Sequence, residues 1–165
     1  NRDDCRILLE HDEAILVFPE GIRGSGKTIW HRYELQQFPS GFLRLALQTG
    51  APIIPVGVVG GEESIISVAD LKWLAKPLGM PYMPIPALLP LLGPLSMLPM
   101  PTKFHLQFGE PLHLEGDPDA PDAELRPMIQ QVEDAVREQI QIGLDRRRAI
   151  FDIPALDALV PGRFR

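Results

Sequence analysis

The run Ile15-Leu16-Val17-Phe18-Pro19-Glu20-Gly21-Ile22-Arg23-Gly24-Ser25-Gly26-Lys27-Thr28 carries four apolar residues into a proline. It then packs a glutamate, an arginine, a lysine and three glycines into the next eight positions. A short apolar run bounded by a breaker reads as a buried strand, here Ala14 to Phe18. Pro19 has no N–H to give a sheet ladder, so the strand stops there. The glycines let a bent backbone approach a ligand closely. The pattern predicts a strand end that delivers Glu20, Gly21, Arg23 and Lys27 to one mouth, the place where open α/β sheets bind ligands.

The loop admits more than one reading. Gly21 to Thr28 fits G-x-x-x-x-G-K-[ST] at every fixed position. Read as a phosphate-binding loop, backbone N–H groups and Lys27 would cradle phosphates while Thr28 held magnesium. That reading needs an apolar strand ending in an acid that helps hold the metal. Pro52 to Val59 ends in Gly60-Gly61 instead, and Ile65 to Asp70 holds Ser67 and reads as helical. The plainest reading is a glycine-rich turn that merely joins two elements.

The chain has 165 residues, enough for one domain with a real core and too few for two. A net charge of −6 argues against nucleic-acid partners. The charge is uneven. Arg23, Lys27, His31, Arg32 and Arg44 face only Glu34 in their stretch, whereas Glu110 to Asp134 holds eight acids against Arg126. An anionic ligand would therefore be held near the glycine-rich loop. A single cysteine, Cys5, excludes an internal disulfide and reads as packing. The chain opens on Asn1, not methionine, and patterned sequence begins at once, so it reads as part of a longer one.

Asn1 to Glu10 suits a short helix. Gly24 to Ser40 reads as a polar loop, and Gly41 to Gln48 as an amphipathic helix with Phe42, Leu43, Ala46 and Leu47 inward and Arg44 outward, closed by Gly50. Pro52 to Val59 is a continuous apolar run, expected as a central strand buried on both faces and hence parallel, with the intervening helix making a right-handed βαβ unit. Ser64 to Ala75 is expected to be helical. Pro77 to Thr102 then runs 26 residues without a charge but with eight prolines. Each interior proline costs a helix about 3 kcal/mol, so the stretch reads as an irregular apolar loop at a membrane surface or lining a fatty-chain groove. Phe104 to Phe108 alternates as a strand. Met128, Val132, Val136, Ile140 and Leu144 recur at helical spacing in a helix from near Arg126 to Arg148, and Ile150 to Arg165 reads as a tail. The fold class expected is α/β, with a mixed, mainly parallel central sheet flanked by helices.

Phe18-Pro19-Glu20-Gly21-x-Arg23 resembles the F-P-E-G-x-R signature of the glycerolipid acyltransferases, the PlsC-like lysophospholipid acyltransferase family. Gly41 to Glu63 resembles that family's following helix and proline-containing strand. Lys103 to Pro111, with its F-G-E-P close, resembles a later strand, and the proline-rich stretch between them is similar to the diacylglycerol-acyltransferase-like branch. The resemblance covers about Asn1 to Leu112 in order. It implies that residues 1–150 are the C-terminal portion of one acyltransferase domain and 151–165 a tail.

The resemblance also implies transfer of a fatty acyl group from a thioester, acyl-CoA or acyl carrier protein as co-substrate, to a lipid hydroxyl, without metal or other cofactor. It implies peripheral contact with the cytoplasmic side of a membrane. The family's general base is the His of a His-x4-Asp pair, with the Asp orienting it. The four histidines here are followed five places on by Leu16, Gln36, Glu110 and Pro118, so the pair is absent. It is expected upstream of Asn1, and this chain alone is expected to be inactive. Glu20 and Arg23 match positions that hold the acceptor, Gly21 would admit its approach, and Pro55 matches an architectural proline. Where many phosphate-acceptor members carry Thr and Ser around the arginine, this chain has Ile22 and Gly24, which favours a neutral acceptor such as a diacylglycerol or fatty alcohol. The competing functional class is a lipid or acyl-chain binding module without catalysis.

Overall fold

The computed structural model describes residues 2–21, 27–64, 66–70, 84–147 and 149–150. In chain order the elements are α1 (Arg2–Glu10), a 3-10 turn (Ile29–His31), α2 (Gly41–Thr49), β1 (Val56–Val59), β2 (Ser67–Asp70), β3 (Pro84–Pro86), α3 (Leu89–Leu92), a second 3-10 turn (Gly93–Met97), β4 (His105–Phe108) and α4 (Asp122–Arg146). Helices and small sheets make a mixed α/β fold.

α2 forms where the 3.6-residue pattern places it, and Gly50 closes it at φ 69°, a left-handed position that glycine takes without strain. Arg44 does not point to solvent as expected. Its Nη2 donates to Asp122 Oδ1 at 2.7 Å and its Nη1 to the Pro118 carbonyl at 2.5 Å, tying α2 to the start of α4. α4 begins a turn earlier than its apolar repeat suggests. Asp122 and Glu124 occupy its first turn, where carboxylates complement the helix dipole. Phe38, Leu43, Ala120, Leu125, Ile129 and Val132 form the core between α2, α4 and the loop before α2.

The sheet differs from expectation. Among the described residues both sheets are two-stranded and antiparallel, so the mainly parallel sheet is not found. β1 pairs with β4, Val56 opposite Phe108 and Val59 opposite His105. One face lies on α4, where Val59 is fully buried, while Val58, Leu106 and Phe108 on the strands remain exposed. A continuous apolar run suits a buried strand of either direction, so composition could not decide the pairing.

Residues 13–18 form no strand and pair with no described strand, and Leu16 is 74% exposed. A strand needs a neighbour's N–H and C=O groups, which apolar sequence alone does not supply. Without that first strand there is no βαβ crossover among the described residues.

The helix expected over 64–75 is also corrected. Ser67–Asp70 is β2, antiparallel to β3, and Ala87 N–H donates to the Ile66 carbonyl at 2.8 Å. Tertiary pairing overrides local helix preference here. Residues 71–75 and the tail 151–165 lie outside the described residues. Among the described residues no helix is long and apolar enough to cross a membrane.

Candidate functional site

After the apolar run, the chain turns at Phe18 to Gly21, where Gly21 N–H donates to the Phe18 carbonyl at 3.0 Å. Gly21 sits at φ +54° with open space around its Cα, so backbone conformation rather than crowding favours glycine. The turn fixes Glu20 against two donors that make three hydrogen bonds. Lys27 Nζ lies 2.9 and 3.2 Å from its two carboxylate oxygens, and Gln36 N–H donates to Oε1 at 2.6 Å. Lys27 also approaches Glu62 Oε1 at 3.6 Å, and its side chain is only 7% exposed. Glu62 Oε2 in turn accepts the Tyr33 N–H at 2.6 Å, at a residue held at φ +60°. Burial pushes the Glu62 carboxyl above its ordinary range, with Lys27 pulling the other way.

Next to this chain of charges lies a second group. Glu63, fully buried, accepts from the Tyr33 hydroxyl and, at 2.6 Å, from Arg147 Nη1. The Tyr33 hydroxyl also accepts the Gly60 N–H at 2.9 Å, and the Arg147 guanidinium lies 5.9 Å from the Tyr33 ring centroid. Burial, and then the bond to Glu63, hold the Tyr33 hydroxyl protonated far above the usual phenol range. Burial also lowers the Arg32 guanidinium, which the charge of Glu63 partly offsets. Adjacent residues of one turn, Glu62 and Glu63, thus pin the motif loop on one side and the end of α4 on the other.

Pro19, Glu20 and Gly21 line a cleft of about 760 Å³ whose opposite wall is the start of α4, with Asp122 and Arg126. Arg126 is set by Glu133, which accepts its Nη2 at 2.8 Å and the Phe38 N–H at 2.8 Å while almost fully buried itself. Arg126 Nη1 is buried with no hydrogen-bond partner among the described residues. A buried donor left unpaired costs about 1–3 kcal/mol.

The structure therefore brings Glu20, Gly21 and Lys27 together, while Arg23 lies outside the described residues. Lys27 is turned onto two carboxylates, a poor place for the polyphosphate that the P-loop reading requires. Thr28 Oγ1 lies 3.1 Å from His31 Nδ1. Sequence reasoning missed Glu62, Glu63, Tyr33, Arg126 and Arg147 as parts of this region. Only the paired acids after an apolar strand offered a signal, and they read as a plain turn. Among the described residues no group of three or more His, Cys, Asp or Glu could hold a metal ion.

Comparison with known proteins adds three findings. The chain is 42% identical over 153 residues to an uncharacterized protein of Mycobacterium tuberculosis (strain ATCC 25618 / H37Rv), covering 90% of this chain and 42% of that protein. An uncharacterized protein of Mycobacterium leprae (strain TN) is likewise 42% identical, with 41% of its length covered. The chain thus spans about 42% of the length of the curated relatives it matches. No solved structure matches. Residues 1–59, which hold the Phe18–Gly21 turn, α2 and β1, match the Acyltransferase family, and this match supports an acyltransferase family for the chain.

Proposed function

We propose that this chain forms the acceptor side of an enzyme that moves a fatty acyl group from acyl-CoA or acyl carrier protein to the hydroxyl of a lipid, such as a glycerolipid or a fatty alcohol. In that reaction the hydroxyl oxygen bonds to the acyl carbon, the C–S bond breaks, and the hydroxyl proton passes through a base to the departing thiolate. The base is the histidine of a His-x4-Asp pair outside these 165 residues. Glu20 and Arg23 engage the acceptor, Arg126 offers a further donor, and Lys27 holds Glu20 in place. The enzyme works at the cytoplasmic face of a membrane, in peripheral contact with it. The observation that supports this reading best is that the Pro19–Gly21 turn, inside the matched residues, lines a cleft together with Arg126.

The test is steady-state kinetics of the full-length gene product with acyl-CoA and a diacylglycerol varied separately. Arg23→Ala, Glu20→Gln and Arg126→Ala are each expected to weaken acceptor use by about tenfold, the scale of one charge-assisted bond, with the donor Michaelis constant unchanged. Unchanged acceptor constants and turnover in all three remove the acceptor-site assignment. The lack of a His-x4-Asp pair within these residues favours a second reading, a lipid-binding module without catalysis. That reading wins if the full-length product binds lipid but turns over no thioester.

A further inference from the structure

Leu89, Leu91, Leu92, Leu95, Met97 and Leu98 are all exposed, Leu91 at 78%. They stand on α3 and the 3-10 turn that follows it, joined through Gly93 at φ +53°. No charged residue occurs between Pro77 and Thr102, and the hydroxyl of Ser96 is already spent on the Gly93 carbonyl at 2.7 Å. A contiguous apolar surface of this kind marks an interaction site. A protein partner is met through a polar rim as well as an apolar centre, and the exposed side chains of this segment supply no charged rim. Hydrocarbon asks for none.

The segment is fastened at both ends. Ala87 N–H donates to the Ile66 carbonyl at 2.8 Å, and Met100 N–H donates to the Ser64 carbonyl at 2.7 Å. Ser64 directly follows Glu62 and Glu63, so the apolar projection springs from the turn that pins the motif loop. Trp30 is exposed on the 3-10 turn Ile29–His31, which packs against β2, the strand at the base of the projection. Indole rings favour the boundary between headgroups and acyl chains.

We propose that Leu89 to Leu98 dips into the outer hydrocarbon of a lipid bilayer as a shallow wedge. The wedge is held by apolar burial rather than by charge. α3 spans only four residues, so the contact is insertion from one side. The segment carries no cation and the chain is acidic at −6, so attraction to anionic headgroups does not drive it. This rests on the peripheral membrane contact proposed above and names the segment that makes it, and the wedge holds the protein to lipid whether or not a reaction follows.

Co-sedimentation of the protein with phosphatidylcholine vesicles, in low and high salt, tests it. Wild type is expected to sediment with neutral vesicles to the same extent at both salt levels. Leu91→Asp combined with Leu95→Asp is expected to cut partitioning by about tenfold or more, because charge replaces the two leucines' apolar surface. Both side chains face solvent, so circular dichroism and melting should match wild type, and Ser96→Ala serves as a control that keeps binding. Three results overturn the proposal. One is unaltered sedimentation of the double variant. Another is binding confined to phosphatidylglycerol vesicles and lost in salt. The third is wild type that forms dimers without lipid and becomes monomeric in the double variant, which would make the face a contact between copies. Turnover on detergent-dispersed acceptor is read separately. If it persists while vesicle binding fails, the wedge falls and the acyl-transfer reading stands.

Discussion

Lys27 has 7% of its side chain exposed and two carboxylates around it, Glu20 at 2.9 Å and Glu62 at 3.6 Å. Removing the ammonium leaves two partly buried anions facing each other. Lys27→Ala is expected to cost about 2–3 kcal/mol in urea unfolding, below the 3–5 typical of a fully buried pair because both partners keep some solvent. Lys27→Arg should recover part of it. Magnesium and nucleotide together should leave the melting temperature unmoved, since the lysine is already engaged. Glu62 adds a pH dependence. Its folded carboxyl titrates above the ordinary 4.5 because burial opposes its charge. Its contribution to stability is full below that ordinary value and is lost as pH rises through the higher folded one. Glu62→Gln removes the titration, so the stability of wild type relative to the variant should fall from about pH 4.5 upward and then level off. Denaturant melts of both proteins across this range check the direction.

At the scale of elements, β1 and α4 meet through glycine. A Cβ on Gly57 would stand 2.5 Å from the Gln139 carbonyl carbon, and one on Gly143 would stand 2.9 Å from Val59 Cγ2. Overpacking a close contact costs about 1–3 kcal/mol, so Gly57→Ala and Gly143→Ala should each lower the melting temperature. Gly41, in the first turn of α2 with nothing near its Cα, should accept alanine with little change or a gain of up to about 1 kcal/mol. Thermal melts of the three variants make the comparison. The same elements show what sequence discloses. α1, α2 and α4 follow from periodicity, and β1 and β4 follow as strands from apolar and alternating runs. Their antiparallel register, Val58 opposite Leu106, does not, because it joins residues 48 apart with no local signal. β2 defeated the helical reading because its partner, Pro84–Pro86, looked like nothing but a broken apolar stretch.

Across the whole molecule, the turn at Glu20 and Gly21 was legible because proline and glycine punctuate sequence strongly. Its surroundings were not. Arg126 reaches the cleft because α4 lies against the loop before α2, and Glu133 meets the Phe38 N–H across 95 positions. Arg147 bonds to Glu63 across 84 positions and, more distant still, to the Tyr33 hydroxyl across 114. Arg147→Ala would leave buried Glu63 without its hydrogen-bonded cation, with only the charge of Arg32 still acting on it, at an expected cost of about 3 kcal/mol that Glu63→Gln should partly restore, as urea melts of single and double variants can show. The distance also has a meaning in time. A chain leaving the ribosome presents Phe18 to Gly21 early, but Arg147, the cation hydrogen-bonded to Glu63, is made last among these residues. Until then Glu63 lacks its hydrogen-bonded cation, and the loop bearing Tyr33 lacks its tie to the end of α4. The region should therefore become protease-resistant in one late step, after residue 147 emerges, rather than gradually as the motif is synthesised.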